Sequence, residues 1–254
     1  MDLEGKRLAL LGFGVENRAL GAWLAEHGLS FTLCDGDPAV RTREAPWDDA
    51  VDEWRLGDSA MTGLEDFDIL FRSPGIPPWR PELAAAQQSG ARLSSGIDLF
   101  LSRCPASVVG VTGTKGKGTT ASLLMAILAA ADIPARLGGN IGTPPVTFLD
   151  ELRTEDLVVL ELSSFQLQDL GRSPQGAIVL PVATDHLDHH RTRSEYVEAK
   201  REICRHQDAE GWVLAAAGCS TAMELAGGGG GRQLSFDGAF PVVGDGCWVE
   251  RGQI

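Results

Sequence analysis

Lys117 stands in the run Gly113-Thr114-Lys115-Gly116-Lys117-Gly118-Thr119, directly after the apolar stretch Val108–Val111. A glycine-rich turn between a strand and a helix points backbone N–H groups and the positive end of the helix at one spot, which attracts phosphate oxygens. The glycines let the backbone wrap, and Lys117 can set a point charge on the β- and γ-phosphates of a nucleotide. The generic phosphate-loop pattern asks for glycine where Val111 stands and for serine or threonine where Gly118 stands. Thr119 is then the nearest hydroxyl for a magnesium ion. The alternative is a flexible glycine–lysine loop without a ligand.

Glu161 lies at the end of the apolar stretch Leu157–Leu162. If the strands are parallel, its carboxylate emerges at the same sheet edge as the glycine loop, placed to hold magnesium; the alternative is a solvated strand-end glutamate. Asp185-His186-Leu187-Asp188-His189-His190 packs three of the five histidines into five positions. Three readings stay open there: a zinc site, with His186 and His190 on one face if helical; Asp185 or His186 beside a phosphate-bound magnesium; or a structural loop. Further on, Val197, Lys200 and Cys204 share an apolar stripe beside Tyr196 and Ile203. A lysine on such a face snorkels to water, or else stays buried, deprotonates easily and takes up carbon dioxide as an anionic carbamate.

Near the N-terminus, Gly12-Phe13-Gly14-Val15-Glu16-Asn17 approximates a dinucleotide fingerprint, and Asp35 follows Gly14 by 21 residues, where a ribose hydroxyl would be bonded. Asn17 holds the place of the third glycine, so the turn serves another nucleotide diphosphate or is an ordinary strand–helix turn.

These residues need strands and helices to position them, and the pattern supplies both. Arg7–Leu11, Leu29–Cys34 and Phe67–Phe71 read as strands, with a helix after Gly14. A second series predicts a short helix at Ile97–Leu101, a strand at Ser107–Val111, a helix at Thr119–Ala131, strands at Leu157–Leu162 and Ala177–Val182, and a helix at Ser194–Arg205 opened by the capping box Thr192–Glu195. Strands alternating with helices imply parallel sheets and an α/β fold. We expect one domain over residues 1–95 and a second over 96–254. The five glycines Gly227–Gly231 read as a flexible loop tip.

With Lys+Arg 22 against Asp+Glu 35, the formal charge is −13, which repels nucleic-acid backbones and anionic lipid; an anionic ligand must be held by a local site. Hydrophobic residues at 43% and charged residues at 22% fit a folded chain rather than a disordered one. Five cysteines without a CxxC pair indicate neither a disulfide framework nor a zinc knuckle and fit the reduced cytoplasm. No apolar run is long enough for a signal peptide or membrane span.

Taken in order, Gly113–Lys117 with Thr119-Thr120, Gly139-Asn140-Ile141-Gly142, Glu161-Leu162-Ser163-Ser164-Phe165-Gln166, Asp185-His186-Leu187-Asp188 and Tyr196 to Lys200 resemble the Mur ligases, and Ser73-Pro74-Gly75-Ile76 adds to the likeness. The resemblance runs from about Leu8 to about Trp248. It implies a Rossmann-like N-terminal domain for a uridine nucleotide, followed by a central phosphate-loop ATP-binding domain of parallel sheet and helices. It further implies ATP-dependent amide-bond formation between UDP-N-acetylmuramoyl-L-alanine and D-glutamate, through an acyl phosphate, in peptidoglycan precursor synthesis, by a cytoplasmic monomer.

On that resemblance, Gly113, Thr114, Lys115, Gly116, Lys117, Gly118 and Thr119 would cradle ATP, and Glu161, His186, Thr119 and a carbamylated Lys200 would face Mg2+. Lys117, Lys200 and His186 would be catalytic. Gly14, Val15, Asp35 and Ser73 would line the uridine site, with Asn140 and Ser163 toward the sugar or alanyl end. The chain departs from the family at Lys115, usually asparagine, at Gly118, usually serine or threonine, at Pro181, usually asparagine, and at Gly36 and Asp37, where threonine and arginine are frequent. Members also carry a third domain, so a chain ending at Ile254 is expected to lack it. The competing readings are a non-catalytic nucleotide-sugar binder and a zinc hydrolase on His186, His189 and His190.

Overall fold

Strands of three to six residues, many of them apolar runs, build two parallel sheets. The computed structural model describes residues 1–42, 47–183, 190–238, 242 and 244–248. The first unit comprises 1–103 and 144–150, the second 104–143 and 151–254.

The first unit contains β1 (Leu8–Leu11), α1 (Val15–Glu26), β2 (Phe31–Asp35), β3 (Val51–Leu56), β4 (Ile69–Arg72), α2 (Pro81–Gln88), β5 (Arg92–Ser94) and α3 (Gly96–Arg103). Its sheet runs β3-β2-β1-β4-β5, with every pair parallel. Strand order reverses at β1, so the turns after β1 and β4 flank the crevice where ligands of such sheets bind. Leu8, Ala9, Leu10 and Leu11 are all buried, as a strand covered on both faces requires.

The units divide at Arg103 and Cys104 rather than at residue 96, because α3 buries Ile97, Leu99 and Phe100 in the first unit. There Phe100 meets Phe148 edge-on at 5.9 Å. Residues 144–150 return to the same unit, where the Trp23 indole N–H donates to Asp150 at 2.9 Å.

The second unit contains β6 (Ser107–Thr112), α4 (Lys117–Ala130), β7 (Ala135–Gly139), β8 (Leu157–Glu161), α5 (Ser164–Leu167), β9 (Gly176–Val179), α6 (Arg193–Arg205), β10 (Trp212–Ala216), α7 (Ser220–Ala226), β11 (Arg232–Asp237) and β12 (Gly246–Trp248). The strand order is β12-β11-β10-β9-β6-β8-β7, again all parallel. β6 sits between β8 and β9, and the glycine loop leaves its C-terminal end at the reversal point. No helix among the described residues is long and apolar enough to cross a membrane.

α6 starts where the sequence places it. Thr192 accepts the Glu195 N–H at 3.1 Å, while the Glu195 carboxylate turns back to the Arg191 backbone N–H and guanidinium. The glycine run differs from expectation: it is packed. A side chain at Gly229 would overlap the Cys204 carbonyl oxygen, and Gly230 N–H donates to Gln207 O at 3.0 Å. Glycine is needed here because the α7–β11 connection passes directly against the end of α6.

Candidate functional site

In the second unit, the loop between β6 and α4 is shaped by two glycines with positive φ. Gly113 adopts φ 148°, and a side chain there would lie 2.6 Å from Leu180 Cβ, so the loop lies flat on the chain leaving β9. Gly116 is left-handed at φ 85° and turns the chain into α4, whose first residue is Lys117. Thr114 fastens the loop from the other side: its N–H donates to Pro181 O at 3.0 Å, and its hydroxyl oxygen accepts Ala183 N–H at 2.9 Å and lies 3.0 Å from the Tyr196 hydroxyl. Lys115 and Thr119 are exposed on the loop and the first turn of α4.

Lys117 reaches across to β8. Its Nζ donates to Thr114 O at 3.2 Å and lies 3.7 Å from Glu161 Oε1. The Glu161 side chain is 3% exposed, and its Oε2 is buried without a hydrogen-bond partner among the described residues. A carboxylate this buried and only half paired is costly as it stands, and a hard divalent cation bound by oxygen would complete it.

Lys200 does not snorkel. It is 1% exposed, and its Nζ donates to Gly113 O at 3.0 Å and Thr112 Oγ1 at 3.3 Å, with the Tyr196 ring 4.7 Å beneath it. Thr112 in turn donates to Leu162 O at 2.9 Å, so α6, the loop and β8 share one polar chain. Asn140 follows Gly139 at the end of β7, its N–H donating to Glu161 O at 2.8 Å. Ser163 caps α5: its Oγ accepts the Gln166 N–H at 3.2 Å while its own N–H donates to Gln166 Oε1 at 3.0 Å. The serine–glutamine spacing therefore has a local structural use as well.

His186, together with Asp185, Asp188 and His189, lies outside the described residues. His190 is described, and it is fully buried. One ring nitrogen lies 2.9 Å from Ser164 Oγ and the other 3.3 Å from Gln168 Nε2, and the ring stacks on Phe165 at 5.3 Å. With both nitrogens so engaged, His190 is unsuited to the zinc set with His186 and His189; it pins the start of α6 to α5.

In the first unit, Gly12 and Gly14 bring β1 against Ser73. A side chain at Gly12 would lie 3.0 Å from Ser73 Cβ, and one at Gly14 3.0 Å from Ser73 Oγ. Asp35 braces the turn, Oδ2 accepting Phe13 N–H at 2.6 Å and Oδ1 accepting Asp37 N–H at 2.8 Å. Val15 is 73% exposed at the helix start. Asn17, in the third-glycine position, is buried and donates from Nδ2 to Leu11 O, Gly12 O and Phe71 O at 2.9, 3.0 and 3.1 Å. It links β1 to β4 by hydrogen bonds where a glycine would link them by close approach. Cys34, whose carbonyl accepts the Gly12 N–H at 2.8 Å, has its thiol pushed up to about 12 by burial.

Residues 111–229 match the model of the Mur ligase middle domain, from the end of β6 into the glycine run. This stretch is a Mur ligase middle domain. It is 42% identical over 215 residues to a protein of Symbiobacterium thermophilum named UDP-N-acetylmuramoylalanine--D-glutamate ligase, covering 82% of this chain and 46% of the relative. A protein of Acetivibrio thermocellus with the same name is 38% identical over 210 residues, covering 82% and 45%. The chain thus spans about half the length of the curated relatives it matches. Among solved structures, the UDP-N-acetylmuramate:L-alanyl-gamma-D-glutamyl-meso-diaminopimelate ligase of Neisseria meningitides aligns over 91% of this chain and 78% of that chain, with TM-score 0.55 and 18% identity, which supports the fold.

For a Mur ligase middle domain, the structure brings Lys117, Glu161, Lys200, Thr114 and Asn140 to one end of one sheet. Two further residues of this network are given no role by the sequence reading. Tyr196 precedes Lys200 by four residues, a spacing that puts both on one helix face, and it ties α6 to the loop through Thr114. Thr112 was hidden inside a strand. Gly118 has open space: a Cβ there would come no closer than 3.7 Å to Ile141 Cδ1, so the absent hydroxyl is not a steric necessity.

Proposed function

We propose that this chain is the nucleotide-binding part of a ligase that joins D-glutamate to UDP-N-acetylmuramoyl-L-alanine, using ATP, in the peptidoglycan precursor synthesis of the cytoplasm, and that it acts as a monomer. The first unit would take the uridine nucleotide at Gly14, Val15, Asp35 and Ser73. The second would take ATP at Gly113–Thr119 and the sugar or alanyl end at Asn140 and Ser163. The names of the relatives support this reading, and the half-paired, buried Glu161 beside Lys117 carries it.

In such a reaction an alanyl carboxylate oxygen attacks the γ-phosphorus and ADP leaves; the amine of D-glutamate then attacks the acyl carbon and phosphate leaves as the amide forms. Loop N–H groups and the start of α4 hold the phosphates, and Lys117 neutralises charge on the transferred group. Thr114, locked between Ala183 and Tyr196, keeps the loop in its wrapped form. Lys200 supports the same loop from beneath and, as a carbamate, would change from a cation into an anionic ligand. Glu161, Thr119, Lys200 and His186 would hold Mg2+, which when bound screens the repulsion between phosphate and carboxylate anions.

Calorimetry of the chain with UDP-N-acetylmuramoyl-L-alanine tests the reading. We expect saturable heat that uridine diphosphate competes away; no heat, or heat indifferent to uridine diphosphate, would overturn it.

A further inference from the structure

In the first unit, β3 forms one edge of the sheet: it pairs with β2 and, among the described residues, with no strand on its other side. Its backbone makes no further backbone hydrogen bond among the described residues. A strand paired on one side only turns alternate N–H and C=O groups outward, so the outer edge of β3 is a template for another strand.

A cleft flanks this edge on each face of the sheet. Side chains alternate along β3, so Arg55 lies over the Phe67 ring at 5.0 Å on one face, while the Trp54 ring lies 6.4 Å from that of Phe13 on the other. On the Phe67 face, Asp52, Glu53 and Asp66 line a cleft of about 600 Å³; on the Trp54 face, Asp48, Asp49 and Asp52 line one of about 540 Å³. Asp52 borders both because β3 carries one extra residue there, Val51 pairing with Phe31 and Glu53 with Thr32.

The charge of the edge is one-sided. Between Asp48 and Asp68 the chain carries eight acidic residues and one basic residue, and Asp48, Asp49, Asp52 and Asp66 are exposed. The basic residue, Arg55, is engaged internally: its Nε donates to Glu53 at 2.9 Å and its Nη1 to Thr62 O at 2.9 Å. Arg7, at the β1 side of the first cleft with Lys6, lies 3.7 Å from Asp68, and Arg41 borders the second. Acidic side chains along an open edge repel a second copy of the same edge and attract a cationic strand.

We propose that the outer edge of β3 takes an extended, lysine- or arginine-rich segment of a partner protein by strand addition. The segment's backbone bonds to β3, and its alternate side chains enter the two acidic clefts. The six residues of β3 span about 20 Å, which sets the length of the added strand at about six residues. The docking needs no ligand at either glycine turn.

Residue-resolved amide hydrogen exchange by NMR tests it on the 254-residue chain, with the capped peptide Lys-Lys-Thr-Thr-Lys-Lys-Thr-Thr as probe. Neighbouring lysines of an extended strand face opposite sides, so each pair reaches both clefts. Exchange of the outward β3 amides should slow about tenfold or more at saturating peptide, with β1 unchanged as the reference. Lys-Lys-Pro-Pro-Lys-Lys-Pro-Pro, which keeps the charge and lacks the central N–H donors, should give no slowing. Asp48→Asn with Asp66→Asn, one exposed carboxylate from each cleft, should weaken the lysine–threonine peptide about fivefold at low salt, the worth of two surface ion pairs. No slowing at about 1 mM peptide would overturn the proposal, as would equal slowing by the proline peptide or equal affinity in the double variant. So would β3 protection that grows with protein concentration in the absence of peptide, which would assign the edge to a second copy.

Discussion

The Lys117 ammonium, at the start of α4, stands 3.7 Å from Oε1 of Glu161, the last residue of β8, with the other carboxylate oxygen buried and unpaired among the described residues. Each group makes the other tolerable in the interior, and the leftover oxygen leaves a place for a cation. Folding and ligand binding are therefore coupled at this pair.

Lys117→Ala should cost stability as well as nucleotide affinity, because it strands a carboxylate that is 3% exposed. The loss in urea denaturation should be about 3 kcal/mol, the lower end for breaking a buried pair, since Lys117 is itself 17% exposed. Adding Glu161→Gln should restore most of the stability and none of the affinity. Full stability in the single variant would show that the pair carries no structural weight.

Gly118→Ser meets no atom closer than 3.7 Å, so it should fold with a stability within about 0.5 kcal/mol of the parent. If the missing hydroxyl matters to magnesium, the Kd for Mg-ATP by calorimetry should fall. An unchanged Kd would mean that Thr119 or water already fills that role.

Gly229→Ala should be severe and Gly238→Ala silent. The first drives a methyl group into a carbonyl oxygen, and the second meets nothing within 4 Å. We expect a loss of more than about 2 kcal/mol at Gly229 and within about 0.5 kcal/mol at Gly238, measured by denaturant midpoint. Equal effects would restore the reading of the run as a free loop tip.

Burial pushes the thiols of Cys34 and Cys204 up to about 12 and about 11, from an ordinary 9.0. The folded chain holds those protons more tightly than the unfolded chain, so the contribution to stability is complete below pH 9 and is lost as pH rises toward 11–12. The urea midpoint should therefore fall between pH 9 and 11, and fall less in the Cys34→Ala, Cys204→Ala double variant. At about pH 8 a thiol reagent should label exposed Cys247 quickly and these two only on unfolding. Rapid labelling of Cys34 in the folded protein would contradict the burial.

The sequence made some of this legible and concealed the rest for identifiable reasons. β1, β6 and β8 are continuous apolar runs ending in chemistry-bearing residues, and a buried parallel strand has that signature. α6 carries its own start signal at Thr192. β5 and β12 are three residues long, too short for periodicity to register. Asp35 and Ser163 read as ligand contacts because motif spacing reports position only; the structure shows each also satisfying backbone N–H groups. Lys200 could be assigned to a stripe from spacing, but whether its amine reaches water depends on Thr112 and Gly113, about 88 positions earlier in the chain. The packing of Gly229 on Cys204 is likewise a tertiary fact that glycine composition cannot signal.

The most direct measurement is calorimetric titration of ATP, with and without Mg2+, into the parent chain and the Glu161→Gln variant. The parent should bind ATP more tightly when Mg2+ is present, and Glu161→Gln should retain metal-free binding while losing that increment. An undiminished increment in Glu161→Gln would contradict the assignment of the buried carboxylate as the metal-facing group of the phosphate site.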